Sequence, residues 1–262
     1  MDLKGMFDFR EMRDEPKPFL AHVEDLRRTI IKMLVVLVGM TVLSFAFQTQ
    51  IVHVIERPLL AIDPEMKSLV NFGVADPLTI AIELSFYAGL VLSFPFLVFF
   101  LAEFVLPALT PSERRLLYPA AAVSLGLFLV GVAFAYFVVL PPTLDYFFKY
   151  SQDMNWRPQW SVREYFSFTT QFVISFGLAF ELPLAVLLLV KLGIVDVALL
   201  RRTRAFAVVV IFFFAAVITP TSDLFTLLLM GGPMYVLYEI CIIIAWLMER
   251  KARRRYEIDN LG

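Results

Sequence analysis

Long uncharged runs divided by short charged segments are the dominant pattern along this chain. Six apolar stretches stand out, at about 30–47, 78–106, 116–140, 165–190, 205–219 and 224–248. Five are long enough for a helix to cross a hydrocarbon core of ~30 Å, which takes about 20 residues. The fifth is shorter: 205–218 at 1.5 Å per residue gives ~21 Å. It leaves through Thr219-Pro220-Thr221-Ser222-Asp223, where Pro220 stops a helix and Ser222 or Asp223 suits the cap of the next. A short hairpin here thins the bilayer or shelters against other helices, unless snorkelling of the flanking Arg side chains makes up the length. The sixth stretch is expected to be interrupted at Gly231-Gly232-Pro233. Pro95, Pro119, Pro183 and Pro233 each remove one backbone donor inside a span and favour a bend. The pattern predicts an all-α integral membrane protein of six transmembrane helices in a bent, concave bundle, the last two helices short.

Charge sets the orientation. Lys4 to Lys32, Arg114 and Arg115, Lys191 to Arg204 and Arg250 to Arg255 fall on one side of such a bundle, whereas Arg57, Lys67, Lys149, Arg157 and Arg163 fall on the other. An excess of Lys and Arg marks the cytoplasmic side, so both termini are expected there. Trp156, Trp160 and Tyr165 cluster before the fourth span, as an interfacial aromatic belt on the outer side does. Charged residues are 18% of the chain, below the ~25% of soluble domains. No linker-like stretch divides the sequence. We therefore expect one domain over 1–262, with a cytosolic segment 1–29, a bundle over 30–248 and a cytosolic tail 249–262. No cleavable signal peptide is visible at the start.

Lys32 lies near the start of the first run, Glu83 and Glu103 near the ends of the second and Glu239 in the sixth, but one charge stands near the middle of a run. Glu181 is the only charged residue between Glu164 and Lys191. An ionised side chain at such a depth costs ~2.5–3.5 kcal/mol on insertion scales, and intramembrane carboxylates usually serve a polar cavity or a partner. The alternative is a protonated, hydrogen-bonded packing residue. Further charges gather at the cytosolic rim. In Pro18-Phe-Leu-Ala-His22-Val-Glu24-Asp25-Leu26-Arg27-Arg28, Phe19, Val23, Leu26 and Ile30 form an apolar stripe. His22, Asp25 and Thr29 share an adjoining face. An interfacial helix with solvated charges is the plainer interpretation of this segment. Thr110-Pro-Ser-Glu113 has the form of a helix start, in which Glu113 closes a capping box. The same Glu113 is also a cytosolic carboxylate that a fold bringing this loop to the amino-terminal helix would set near Asp25. His22 and His53 lie on opposite faces and Cys241 is the one cysteine, so no metal-ligand cluster is expected. No glycine-rich phosphate loop and no nucleophile–base set appear, and neither an enzyme nor a cofactor is expected. A net charge of −1 gives no reason to expect a nucleic-acid partner.

Several motifs in order resemble one known family. They are Phe19-Leu-x-His22-Val-x-Asp25-Leu-Arg27; Pro58; Asp76-Pro77; Leu92-Ser-x-Pro95; Phe104-Val-Leu-Pro107-Ala-Leu; Glu113-Arg-Arg; and Phe134-Ala-Tyr-Phe137. Phe176-Gly-x-x-Phe180-Glu181-x-Pro183, then Thr219-Pro220 with Asp223, and Pro233-Met-x-x-x-Tyr238-Glu239 complete the set. From Phe19 to about Arg250 the chain resembles the TatC family, the polytopic subunit of the twin-arginine protein translocase. The resemblance implies a non-enzymatic receptor in the cell inner membrane that binds twin-arginine signal peptides of folded cargo. It implies single-span TatA- and TatB-type partners, which supply the pore, contact with membrane lipid, a homo-oligomer within the assembly, and drive by the proton-motive force. It assigns signal-peptide binding to Asp25, Arg27, Phe104 and Glu113, with Glu24 sharing the task because Asp25 is one methylene shorter than the usual Glu. Glu181 becomes the intramembrane carboxylate of a groove open to lipid. Partner contacts fall at Thr219, Pro220, Asp223 and Phe225, and structural roles at Pro58, Pro95 and Pro183. Leu227 stands where the family often carries a polar Gln. The competing interpretation is a proton-coupled small-solute transporter that titrates Glu181; a third makes the chain a passive anchor.

Overall fold

In a computed structural model, backbone is described for residues 19–62, 69–105, 111–156, 158–191, 193, 195–218 and 224–259, and side chains for the same residues except 19–21, 111–118 and 252–259. The helices are α1 (Phe19–Ala46), α2 (Gln48–Ile62), α3 (Asp76–Val105), α4 (Pro111–Phe134), a π-helical turn (Ala135–Val139), α5 (Leu140–Asp153) and α6 (Val162–Ala179). They continue with α7 (Leu182–Lys191), α8 (Val197–Arg202), α9 (Arg204–Ile218) and α10 (Leu224–Asp259). Among the described residues the one β contact is an isolated bridge between Val70 and Ser161. Among the described residues, five segments are long and apolar enough to cross a membrane: His22–Ala46, Asp76–Val105, Pro119–Asp153, Val162–Lys191 and Leu224–Lys251. At 15 residues, α9 reaches ~22 Å. The six-span, all-helical expectation holds, with a multi-pass bundle whose fifth span is short.

α6 is the axis of the core. Its Phe172 and Phe176 are fully buried, among Leu59 of α2, Leu84 of α3 and Met230 of α10. α1 lies at the edge and packs on α3. The two backbones meet at Gly89, where a Cβ would stand 2.6–2.7 Å from the Oγ1, Cα and N of Thr41. Small residues bring membrane helices into such contact because lipid gives apolar side chains no reason to leave it. The far face of α1, with Val35, Val38 and Val42, is exposed, as a face turned to lipid is.

The end of the bundle away from the termini is closed by α2 and α5, amphipathic helices that the six-stretch pattern did not separate from loops. Pro58 lies inside α2 and has no N–H for the carbonyl of Val54, four residues earlier. The Tyr136 hydroxyl donates to that carbonyl, and the Tyr165 hydroxyl donates to the next, on Ile55, at 2.6 Å. Two tyrosines from the bundle thus hold this proline-containing helix over the core. The loops below are tied by Val70 N–H to Trp160 O and Val162 N–H to Val70 O, each 3.0 Å.

Three expectations are corrected. The third apolar run does not end at 140; it continues through the π-helical turn into α5. Pro141 and Pro142 offer no amide to the carbonyls of Phe137 and Val138, and just ahead of them the register shifts, with Leu140 N–H on Ala135 O. The fourth run is two helices, broken at Phe180 and Glu181. The sixth is neither short, as expected of the last two helices, nor interrupted at Gly231-Gly232-Pro233: α10 has 36 residues and runs through it. An open turn there would leave backbone groups unpaired in an apolar surround. Gly231 instead makes room for the Phe212 ring, 2.6 Å from where its Cβ would be.

Candidate functional site

The deeper of two candidate sites is assembled by one stripe of α4. Ser124, Phe128 and Gly131 recur at spacings of four and three and so share a face. That face meets the end of α6. Phe128 is fully buried, stacked on Phe94 of α3 at 3.7 Å between centroids, and it lies against Gly177, whose Cβ would come within 2.8 Å of its ring. At Gly131 a Cβ would be 2.7 Å from Phe176 O and 2.8 Å from Phe180 Cβ. Glycine on each helix brings α4 onto α6, and the third member of the stripe then faces the break. Ser124 Oγ donates to Glu181 Oε2 at 2.7 Å.

The break itself follows from Pro183. It has no amide for the carbonyl of Ala179, and Glu181 N–H turns to Leu178 O at 3.1 Å, three residues back. Helical pairing resumes with Ala185 N–H on Glu181 O at 3.0 Å. Glu181 is half-buried, and its Oε1 is buried with no donor among the described residues. The site therefore has one carboxylate oxygen fixed by serine and one acceptor unused. Towards the capped end, Leu84, Tyr87, Val132, Tyr136, Thr170 and Val173 help to line a largely apolar cleft of about 350 Å³. Its walls come from α2, α3, α4 with its π-helical turn, and α6.

The second site is the rim where α1 begins and α3 ends. His22 stacks on Phe104, with centroids 4.7 Å apart and planes inclined by 25°. Lys32 Nζ lies 3.2 Å from Glu103 Oε2. From Phe19 the chain runs as one helix into the first span, and its start is fixed to α3. Asp25 is half-buried on this helix. Glu24 accepts from Arg27 Nη1 and Arg28 Nε, both at 3.4 Å, so part of its capacity is used by its own helix. Arg27 is exposed. Glu113 falls in the first turn of α4, and its side chain lies outside the described residues, as do Thr110 and the capping box.

Of the residues assigned to partner contact, Thr219, Pro220 and Asp223 lie outside the described residues. Phe225 is half-buried and stacks on Tyr146 of α5 at 3.6 Å, so one face of its ring is committed within the chain. Pro58 and Pro183 are buried, and Pro95 is half-buried in α3. At the start of α9, Arg204 Nη2 pairs with Glu239 Oε2 at 2.9 Å while Tyr235 donates to Oε1 at 2.9 Å, tying α9 to α10. Among the described residues no three of His, Cys, Asp or Glu stand together as metal ligands would. Sequence reasoning did not single out Ser124, Lys32 or Glu103. Ser124 was legible only as the first position of the Ser124–Phe128–Gly131 stripe; the ion pair has no local signal, because its partners are 71 residues apart.

Residues 21–233 match the family described as Sec-independent protein translocase protein (TatC). A relative of that description from Akkermansia muciniphila is 49% identical over 195 residues, which is 74% of this chain and 56% of the relative, so the chain spans little more than half of that protein's length. Others are nearer in length: one from Aquifex aeolicus is 33% identical over 90% of this chain and 98% of its own. One from Escherichia coli is 30% identical over 93% and 94%. A crystal structure of the twin arginine translocase receptor TatC superposes with a TM-score of 0.78 at 32% identity, covering 86% of this chain and 98% of the other. Motif order, helix topology and these likenesses agree: the chain belongs to the TatC family and is a multi-pass subunit of a twin-arginine translocase.

Proposed function

We propose that this chain is the receptor subunit of its translocase: it binds paired-arginine signal peptides of folded cargo at a cytosolic rim and organises TatA- and TatB-type single-span subunits for export. Both termini lie in the cytoplasm and the bundle spans the inner membrane, as the distribution of Lys and Arg supports. The observation that carries the reading is the joining of α1 to the end of α3, where His22 stacks on Phe104 beside a helix bearing Glu24 and Asp25. Asp25 and Glu113 engage the paired guanidinium groups, with charge-assisted bonds that a planar fork makes two at a time. Phe104 supplies apolar contact beside them and Arg27 shapes the rim. A single exposed pair contributes only ~0–1 kcal/mol, so two carboxylates and an apolar wall are needed for useful affinity. The apolar part of the signal then moves along the bundle, and the unused Oε1 of Glu181 accepts a donor from an incoming partner helix. Thr219, Pro220, Asp223 and the free side of Phe225 form the contact with single-span subunits.

The test is crosslinking of a twin-arginine precursor in membranes holding all subunits. Glu113→Ala is expected to abolish crosslinks at the rim, and replacing both signal arginines by lysine to weaken them strongly. Undiminished crosslinking in both cases refutes capture by carboxylates. Glu181→Ala is expected to leave precursor binding intact and to stop export; normal export would remove the deep carboxylate from the mechanism.

A further inference from the structure

The rim holds an ion pair that this reading leaves unused. Lys32 Nζ lies 3.3 Å from Oε1 and 3.2 Å from Oε2 of Glu103, bridging both carboxylate oxygens. The same ammonium stands 5.6 Å from the centroid of the Phe100 ring. Phe100 and Glu103 are three residues apart on α3 and so share a face, while Lys32 reaches them from α1. The lysine side chain is 39% exposed and the glutamate 32%, so the pair is partly shielded yet reachable from water. Phe104, the next residue, carries the His22 stack. A carboxylate presenting both oxygens, flanked by an aromatic face, matches a guanidinium better than an ammonium. The planar fork engages both oxygens in parallel and stacks on a ring, whereas lysine offers a point charge.

We propose that Lys32 is a resident placeholder in a guanidinium seat made by Glu103 and Phe100, and that an arginine of the peptide bound at this rim displaces it. The proposal rests on the recognition reading above and adds to it a third carboxylate and a competitor built into the chain. The displacement exchanges one cation for another, so Glu103 is never left unpaired. The ammonium of Lys32 swings on its four-carbon stem to water. The α1–α3 contact does not depend on the pair, because Gly89 against Thr41 and His22 on Phe104 hold the two helices independently.

The experiment measures binding of a fluorescent paired-arginine peptide to the full chain in lipid nanodiscs at fixed salt, with a melting curve for every variant. Lys32→Gln is expected to tighten binding about fivefold by vacating the seat. Lys32→Arg keeps the charge and the helix contact but occupies the seat better, and is expected to weaken binding about threefold or more with no loss of melting temperature. Glu103→Gln is expected to weaken binding about tenfold and to erase the difference between Lys32 and Gln at position 32. Tightening in Lys32→Gln without weakening in Lys32→Arg would reveal a general charge effect and overturn the proposal. So would unchanged affinities with lowered melting temperatures, which describe a plain staple between helices. A wild-type chain that binds paired-lysine and paired-arginine peptides equally defeats the recognition reading itself; one that discriminates, while the substitutions at Lys32 and Glu103 leave its affinities unchanged, defeats only the placeholder.

Discussion

Tyr136→Phe is expected to destabilise the protein only while Pro58 is present. The hydroxyl donates to the carbonyl of Val54, and that carbonyl has no amide partner of its own because residue 58 is proline. The bond lies at an exposed position, so its loss costs about 1 kcal/mol, the ordinary net contribution of an intramolecular hydrogen bond rather than the penalty of a buried acceptor. Tyr136 is half-buried, and Phe fills the same space, so the loss is that of the bond alone. Pro58→Ala restores an N–H in register with Val54 O. In that background Tyr136→Phe should cost close to zero, giving a coupling energy of about 1 kcal/mol, or roughly fivefold in an equilibrium constant. Reversible unfolding of the four members of the cycle in mixed micelles measures it, with far-UV dichroism reporting helix loss. Pro58→Ala carries its own cost, which the cycle subtracts. Additivity within about 0.3–0.5 kcal/mol would refute the reasoning, because the hydroxyl would then not be replacing the missing amide.

Ser124→Ala deprives Glu181 of its one donor among the described residues and is expected to cost ~1.5–3 kcal/mol in the same unfolding assay. Ser175→Ala, which removes only a bond to Gln171 O of its own helix, should cost a small fraction of that. Gly89→Ala should destabilise by about 1–3 kcal/mol, because the added Cβ meets the backbone of Thr41. Gly39→Ala, with nothing within 4 Å of the added atom, should be neutral or stabilising by up to ~1 kcal/mol through helix propensity; equal effects at the two sites would refute the close-contact argument. Arg204→Ala should loosen the α9–α10 hairpin and raise its hydrogen–deuterium exchange while leaving exchange in α1 and α3 unchanged. Its effect on melting should be smaller than that of Ser124→Ala, since the pair is partly exposed to water.

The spans were legible because each carries its own signal: a run of apolar side chains of the right length does not depend on what it packs against. Glu181 was legible for the same reason, as a charge where the local pattern forbids one. Its partner was not, because Ser124 lies 57 residues away and serines in apolar helices more often bond their own backbone. Gly231-Gly232-Pro233 misled for a related reason. Glycine and proline mark breaks in water, but α10 has no solvent to satisfy opened backbone groups, and the glycine is there for the Phe212 ring. α2 and α5 were missed as helices because their amphipathic patterns are short and lie between runs that dominate any reading of hydropathy.

Composition and pattern by themselves determined that this chain crosses a membrane six times, where its Lys and Arg concentrate and which carboxylate stands alone among apolar residues. The ordered motifs carried the resemblance to a family. Only the tertiary structure decided that Glu181 has one oxygen fixed and one unused, that two tyrosines make good the amide missing at Pro58, and that Lys32 occupies a carboxylate beside an aromatic face. Transfer of a segment into lipid depends on its own side chains, and so is written locally. Hydrogen bonds and ion pairs between helices depend on crossing points set by a few glycines and bulky rings far apart in the chain, and no local pattern records which residues those crossings bring together.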